Sequence, residues 1–202
     1  RGLYQRLAES PLQERIDWPC LDVFWGDERP VPPDDAASNY RMARESLLNR
    51  VPVVSGRVHP MRGDARSLNQ AATDYQAEVA ATWKVSADGA PPAFDLIILG
   101  MGSDGHTASL FPRTAALSET TRWVVANPVP QHNTIRLTLT LPIINRARTV
   151  MFLIAGNNKA GVLAEVLEGS KDPQRLPAQA VQPVNGHVHW LIDEAAAAKL
   201  TI

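Results

Sequence analysis

Residues 94–112 read Phe94-Asp-Leu-Ile-Ile-Leu-Gly-Met-Gly-Ser-Asp-Gly-His-Thr-Ala-Ser-Leu-Phe-Pro112. The run from Phe94 to Leu99 is apolar and ends in glycines, the pattern of a strand buried on both faces. Glycines at 100, 102 and 105 let the backbone turn sharply and approach a ligand closely. Ligands of open α/β sheets bind beyond the carboxyl ends of strands, which puts Gly102, Asp104 and His106 in the expected crevice. Histidine is the side chain that changes charge near neutrality, as a general base must. Asp104 either orients that imidazole or binds a substrate hydroxyl.

Around this run, short apolar segments alternate with helix-like ones. Strands are expected at Leu21–Trp25, Val58–Pro60, Trp123–Ala126, Ile135–Thr140, Thr149–Ala155 and Val188–Ile192. Helices are expected at Ser38–Leu48 with Ser38 as N-cap, at Asp64–Trp83, at Asn157–Leu167, and after the capping residue Asp193. Residues 86–92 form a loop. The alternation predicts an α/β fold with an open, mostly parallel sheet and helices on both faces. No linker or repeat divides it, so residues 1–202 read as one domain.

Bulk properties narrow the function. Lys plus Arg number 20 against 21 Asp plus Glu, for a net charge of -1. Such balance gives no electrostatic case for nucleic acid or for an anionic membrane, so an anionic substrate needs a few placed cations. No apolar stretch approaches the ~20 residues of a membrane span. Cys20 is the lone cysteine. It precludes an intrachain disulfide, fits a reducing cytoplasm and reads as a small buried hydrophobe. No signal peptide is visible. Arg1-Gly-Leu-Tyr-Gln-Arg-Leu-Ala8 reads as a helix already under way, and the expectation is a truncated chain.

Two further segments carry charge at strand ends. In Phe24-Trp-Gly-Asp-Glu-Arg-Pro-Val-Pro-Pro33, followed by Ser38-Asn-Tyr40, Arg29 is suited to clamp a phosphate or carboxylate. A solvated turn or an Asp27–Arg29 ion pair is the plainer alternative. In Phe152-Leu-Ile-Ala-Gly-Asn-Asn-Lys-Ala160, a strand, a glycine and a helix start make anion-binding geometry, with Lys159 adding charge. The P-loop spacing is absent. Arg136 points either into the same crevice or to solvent. His187 and His189 share a strand face. They lack companions with ligand spacing, so no metal is expected and an ordinary strand face is the simpler reading. His59 and His132 read as structural or solvent-exposed, and the five tryptophans as core.

Taken together, Asp-Glu-Arg with Ser-Asn-Tyr, the Gly-Met-Gly-Ser-Asp-Gly-His-Thr-Ala-Ser-Leu-Phe-Pro string, and Arg-Leu-Thr-Leu-Thr followed by Gly-x-x-Lys resemble the 6-phosphogluconolactonase family. The order and spacing fit across nearly the whole chain. The resemblance implies hydrolysis of 6-phospho-D-glucono-1,5-lactone to 6-phosphogluconate in the oxidative pentose phosphate pathway. The related glucosamine-6-phosphate deaminases continue Gly-His with Phe-Asn-Glu-Pro, whose glutamate does acid–base work. Here the stretch is Ser109-Leu-Phe-Pro112, and Asp-Glu-Tyr is Asp-Glu-Arg. Two departures stand out. The family's first strand and its Ser-Gly-Gly-Ser/Thr-Thr-Pro loop, which helps bind phosphate, have no counterpart. Lysine and prolines before Arg-x-Thr-Leu-Thr are replaced by Asn127-Pro-Val-Pro-Gln-His-Asn-Thr134.

The expected mechanism is direct water attack assisted by His106, since no Gly-x-Ser-x-Gly nucleophile is present. No metal and no organic cofactor are expected. Arg29, Lys159 and Arg136 are expected on the phosphate, with Asp27 and Gly102 also lining the substrate site. The expected partner is a small sugar-phosphate lactone, bound by a cytoplasmic monomer or weak homo-oligomer. Rival readings are a deaminase–isomerase and a non-catalytic sugar-phosphate sensor.

Overall fold

The computed structural model describes residues 1–201. Its helices are α1 (Gly2–Leu7), α2 (Asn39–Ser46), α3 (Leu68–Trp83), α4 (Leu141–Ile144), α5 (Ala160–Leu167) and α6 (Glu194–Ala197). Its strands are β1 (Val23–Phe24), β2 (Asp27–Glu28), β3 (Val58–His59), β4 (Ile97–Leu99), β5 (Val124–Val129), β6 (Thr134–Leu139), β7 (Thr149–Ile154) and β8 (His187–Ile192).

The parallel α/β character expected from the alternation is present. β1 pairs β3 in parallel, and β4, β7 and β8 form a parallel sheet in that order. The remaining strands, β2, β6 and β5, form a separate antiparallel sheet. Its β5–β6 hairpin turns through Pro130–His132 and Asn133, whose φ of 45° is left-handed. So short a connection can join only antiparallel neighbours, because a parallel pair needs a long crossover.

Caps set the helix starts. Ser38 Oγ accepts from the Arg41 amide at 3.1 Å, as the sequence predicts. Ser67 does the same for Gln70 at 3.2 Å, so α3 begins at Leu68 and not at Asp64. Asp193 accepts from the Ala196 amide at 2.7 Å and starts α6.

The core runs between the sheets and α3, α4 and α5, with Val79, Leu110, Trp123, Ile143, Ile144, Val150, Phe152 and Leu163 fully buried. Trp190 stacks on Phe152 with ring centroids 4.0 Å apart.

Two expectations, for the 94–99 run and for Cys20, are corrected. The 94–99 run is not buried on both faces. Ile97 and Leu99 are buried, but Leu96 is 47% exposed and Ile98 36% exposed. β4 is an edge strand, and its outward side chains share an uncovered sheet face with exposed Leu191. His187 and His189 lie on the same open face. Cys20 is exposed because it closes a 3₁₀ turn at the surface. His59 is buried, stacked on Phe24 at 4.2 Å, with ring nitrogens 2.7 Å from Glu78 Oε1 and 3.2 Å from Asp22 Oδ1.

Candidate active site

The loop after β4 is built around its own backbone. The Gly102 amide donates to the His106 carbonyl at 2.8 Å, and Thr107 Oγ1 donates to the Gly100 carbonyl at 2.8 Å. Gly105 has φ +79°, a conformation few other residues adopt, and it packs against Leu176. The Ala178 amide donates to the Gly105 carbonyl at 2.9 Å, so the 172–180 segment buttresses the loop. A Cβ on Gly102 would overlap the His106 ring and lie 2.6 Å from Asp104 Oδ1. Gly102 is therefore glycine because the imidazole sits against its backbone.

Asp104 Oδ1 accepts from the His106 amide at 3.1 Å and faces His106 Nδ1 at 2.6 Å. Desolvation is the largest influence on this carboxyl and pushes its pKa up. The His106 amide and imidazole together outweigh it, and the pKa lies below the ordinary carboxylate range. An ionised carboxylate only accepts, so Nδ1 must carry a hydrogen. In the neutral imidazole the basic lone pair then belongs to Nε2. Nε2 has no protein hydrogen bond among the described residues, and the imidazole is partly open to solvent. The Phe111 ring stacks on the imidazole at 4.1 Å between centroids, and His132 meets the Phe111 ring edge-on at 5.2 Å. His132, without an apparent partner in sequence, is thus packed beside the site.

The Asp27-Glu-Arg29 segment divides its three charges between different tasks. Asp27 and Glu28 form β2 and pair with Thr138 and Leu137 of β6. Glu28 is buried, and its carboxylate accepts from the amides of Arg29, Asn39 and Tyr40 and from Ser38 Oγ, all within 3.0 Å. It occupies the N-terminal end of α2, where unpaired amides and the helix dipole favour an anion. Asp27 keeps some solvent contact, yet its carboxylate is crowded by protein. Desolvation raises its pKa, opposed by a 2.6 Å bond from Ser109 Oγ and by the fields of Arg29 and Arg136.

Arg29 donates to the Ala37 carbonyl at 2.6 Å and to Asn39 Oδ1 at 3.0 Å rather than closing an ion pair with Asp27. Asn39 also donates to Asp27 Oδ1 at 3.1 Å, which bridges the two. Arg136 lies on the β6 face that carries Thr138, opposite Asn127 of β5. Its Nε is buried and unpartnered. Desolvation lowers its pKa first, and the positive charge of Arg29 lowers it further. The charge of Arg29 is thus felt at Arg136, whose buried Nε–H has no partner among the described residues and is free to donate to an added anion.

Lys159 follows β7, whose carboxyl end lies beside that of β4 through the Leu99–Phe152 register. Among the described residues its side chain forms no ion pair and no hydrogen bond, so none joins it to Arg29 or His106. The backbone cradle expected there is partly used internally. Gly156, at φ +94°, donates its amide to both Asp193 oxygens at 3.0 Å. The turn opens as 3₁₀ before α5 begins.

Residues that sequence reasoning passed over are Ser109, Asn127, Thr138 and Phe111. Ser109 and Phe111 lie in the His106 loop itself, and the β5–β6 hairpin brings Asn127 and Thr138 against that loop, where both bond to Ser109.

The matching family model, described as glucosamine-6-phosphate isomerases/6-phosphogluconolactonase, covers residues 1–190. A 6-phosphogluconolactonase of Synechocystis sp. is 45% identical over 201 residues, spanning 99% of this chain and 80% of the relative. The solved 6-phosphogluconolactonase from Trypanosoma cruzi superposes with a TM-score of 0.83 at 33% identity, covering all of this chain and 80% of that one. A monomeric glucosamine-6-phosphate deaminase superposes at 0.79 with 22% identity, over 98% of this chain and 83% of that one, a likeness of fold alone. With its Asp104–His106 pair and a match across nearly its whole length, this chain belongs to the glucosamine-6-phosphate isomerase/6-phosphogluconolactonase family.

Proposed function

We propose that the chain hydrolyses 6-phospho-D-glucono-1,5-lactone to 6-phosphogluconate, with His106 as general base on an attacking water. The observation that carries this reading is the 2.6 Å Asp104–His106 contact, which leaves Nε2 as the basic nitrogen. Nε2 takes a proton as water adds to the lactone carbonyl, and a tetrahedral oxyanion forms. Collapse breaks the bond to the ring oxygen, which leaves as the C5 hydroxyl after recovering that proton from the imidazolium. General-base catalysis supplies ~10²–10⁴-fold, enough for a lactone that already opens slowly in water.

Arg29 and Arg136 hold the phosphate in this reading, with Lys159 approaching from the neighbouring strand end. Asp27 lines the site from below and braces it. Where deaminases carry the glutamate of Phe-Asn-Glu-Pro, this chain carries Phe111, stacked on His106. That supports the lactonase over the deaminase. The reading takes the chain as a single domain acting in the cytoplasm, where an exposed unpaired Cys20 stays reduced. No helix of the described residues is long and apolar enough to cross a membrane.

The test is base uptake at constant pH on freshly prepared 6-phosphogluconolactone, with the spontaneous rate subtracted. The wild type should exceed the background by orders of magnitude, and His106→Asn should lose most of that excess. Wild type at the background rate, or His106→Asn at wild-type turnover, would overturn the proposal.

A further inference from the structure

Ser109 is nearly inaccessible to solvent, yet every polar atom it has is engaged across an inter-sheet boundary. Its Oγ donates to Asp27 Oδ2 at 2.6 Å, in β2. Its amide donates to Thr138 Oγ1 at 3.1 Å, in β6. Its carbonyl accepts from Asn127 Nδ2 at 2.9 Å, in β5. One residue of the loop after β4 is therefore tied to all three strands of the antiparallel sheet.

Each tether ends at a residue that neighbours an arginine in sequence or in strand register. Asp27 is two residues before Arg29. Thr138 is two residues after Arg136 on the same strand face, and Asn127 is the register partner of Arg136. On the other side, the four residues from His106 to Ser109 form a stiff path. Thr107 is anchored to Gly100, the Leu110 amide closes onto the Thr107 carbonyl at 2.9 Å, and Ala108 sits at φ +47°.

We infer that Ser109 is a positioning residue that sets the distance between His106 and the Arg29–Arg136 pair. The inference rests on the lactonase reading above. A substrate pinned by its phosphate to the arginines presents its carbonyl to His106 only if that distance holds. A misplacement of about 1 Å at a reacting centre costs on the order of 10²-fold. A lactone without phosphate is not pinned, and it adjusts to a shifted loop.

Ser109→Ala should therefore lower kcat on 6-phosphogluconolactone by roughly 10–100-fold. KM should change much less, since the arginines remain. Turnover of plain glucono-1,5-lactone by the same preparation should stay near the wild-type value. The ratio of the two rates does not depend on the fraction of protein that is folded, so partial unfolding cannot imitate the result. Thr138→Val, which removes the acceptor of the Ser109 amide, should move the ratio in the same direction. Equal losses on both lactones, or no loss on the phosphorylated one, would overturn the inference while leaving the lactonase reading intact. A wild type that opens neither lactone would overturn both.

Discussion

Gly102→Ala adds a single methyl group at the point where the imidazole meets the backbone. The new Cβ would overlap Nδ1 and Cε1 of His106 and sit 2.6 Å from Asp104 Oδ1. Non-bonded heavy atoms rest near 3.5–4.0 Å, so roughly 1 Å or more must be recovered by movement. The backbone cannot give easily, because the Gly102 amide is bonded to the His106 carbonyl and Thr107 is anchored to Gly100. The imidazole must swing, breaking its line to Asp104 and its stack on Phe111. A shift of about 1 Å in a reacting group corresponds to ~10²-fold in rate, or about 2.7 kcal/mol of barrier. The assay is the constant-pH titration on the phosphorylated lactone, with thermal unfolding as a control. Turnover should fall about 100-fold with only a small change in Tm, because the loop is partly exposed. A variant within threefold of wild type would show that the ring does not work from the place described.

Asp104→Asn should cost about 10²–10⁴-fold in kcat at neutral pH, because an amide permits the tautomer with the proton on Nε2; a pH–rate profile of the variant checks it. Arg29→Ala and Arg136→Ala should each raise KM for the phosphorylated lactone by ~10–100-fold, the value of a charge-assisted contact of about 1.5–3 kcal/mol, with a much smaller effect on plain gluconolactone. Equal losses on both substrates would remove these residues from the phosphate. Glu119 accepts from the amides of Thr120, Thr121 and Arg122 and from the Arg122 guanidinium. Despite desolvation, which acts in the opposite sense and is the largest single influence, these bonds draw its pKa down to about 2. A depressed carboxylate contributes stability fully above its unfolded pKa of about 4.3 and loses it as pH falls toward 2. The gap in urea midpoint between wild type and Glu119→Gln should therefore close between pH 5 and pH 2.

The β4 loop was legible because its chemistry is local. Glycines 102 and 105, Asp104 and His106 act on one another within five residues, and the spacing alone implies the turn. Ser38 and Asp193 were legible as caps for the same reason. The antiparallel sheet was not, because the identity of β2 depends on pairing with a strand more than a hundred residues later. That pairing decides that Glu28 serves α2 and that Ser109 meets Asp27, and no spacing rule encodes either. The apolar run at 94–99 misled for a related reason. An apolar residue reports that it can be buried, and whether Leu96 and Ile98 are covered depends on which elements lie opposite them. Lys159 follows β7 as its strand–glycine pattern predicts, but the Gly156 amide goes to Asp193, a partner 37 residues away, and local spacing does not encode it.

The enclosure of Glu28 by the amides of α2 bears on how an anion reaches the site. On paper, residues 27–29 carry two negative charges and one positive, and would repel a phosphate. One of those negatives is already balanced by the positive end of a helix, and the other is turned inward, accepting from Ser109 Oγ and Asn39 Nδ2. In the proposed site the outward charge is then that of Arg29 and Arg136, and a doubly charged sugar phosphate would be drawn in from beyond contact range. Such capture depends on the ionic atmosphere, with a Debye length of about 8 Å at physiological salt. The encounter rate thus inherits a salt dependence that the chain's overall charge of -1 conceals.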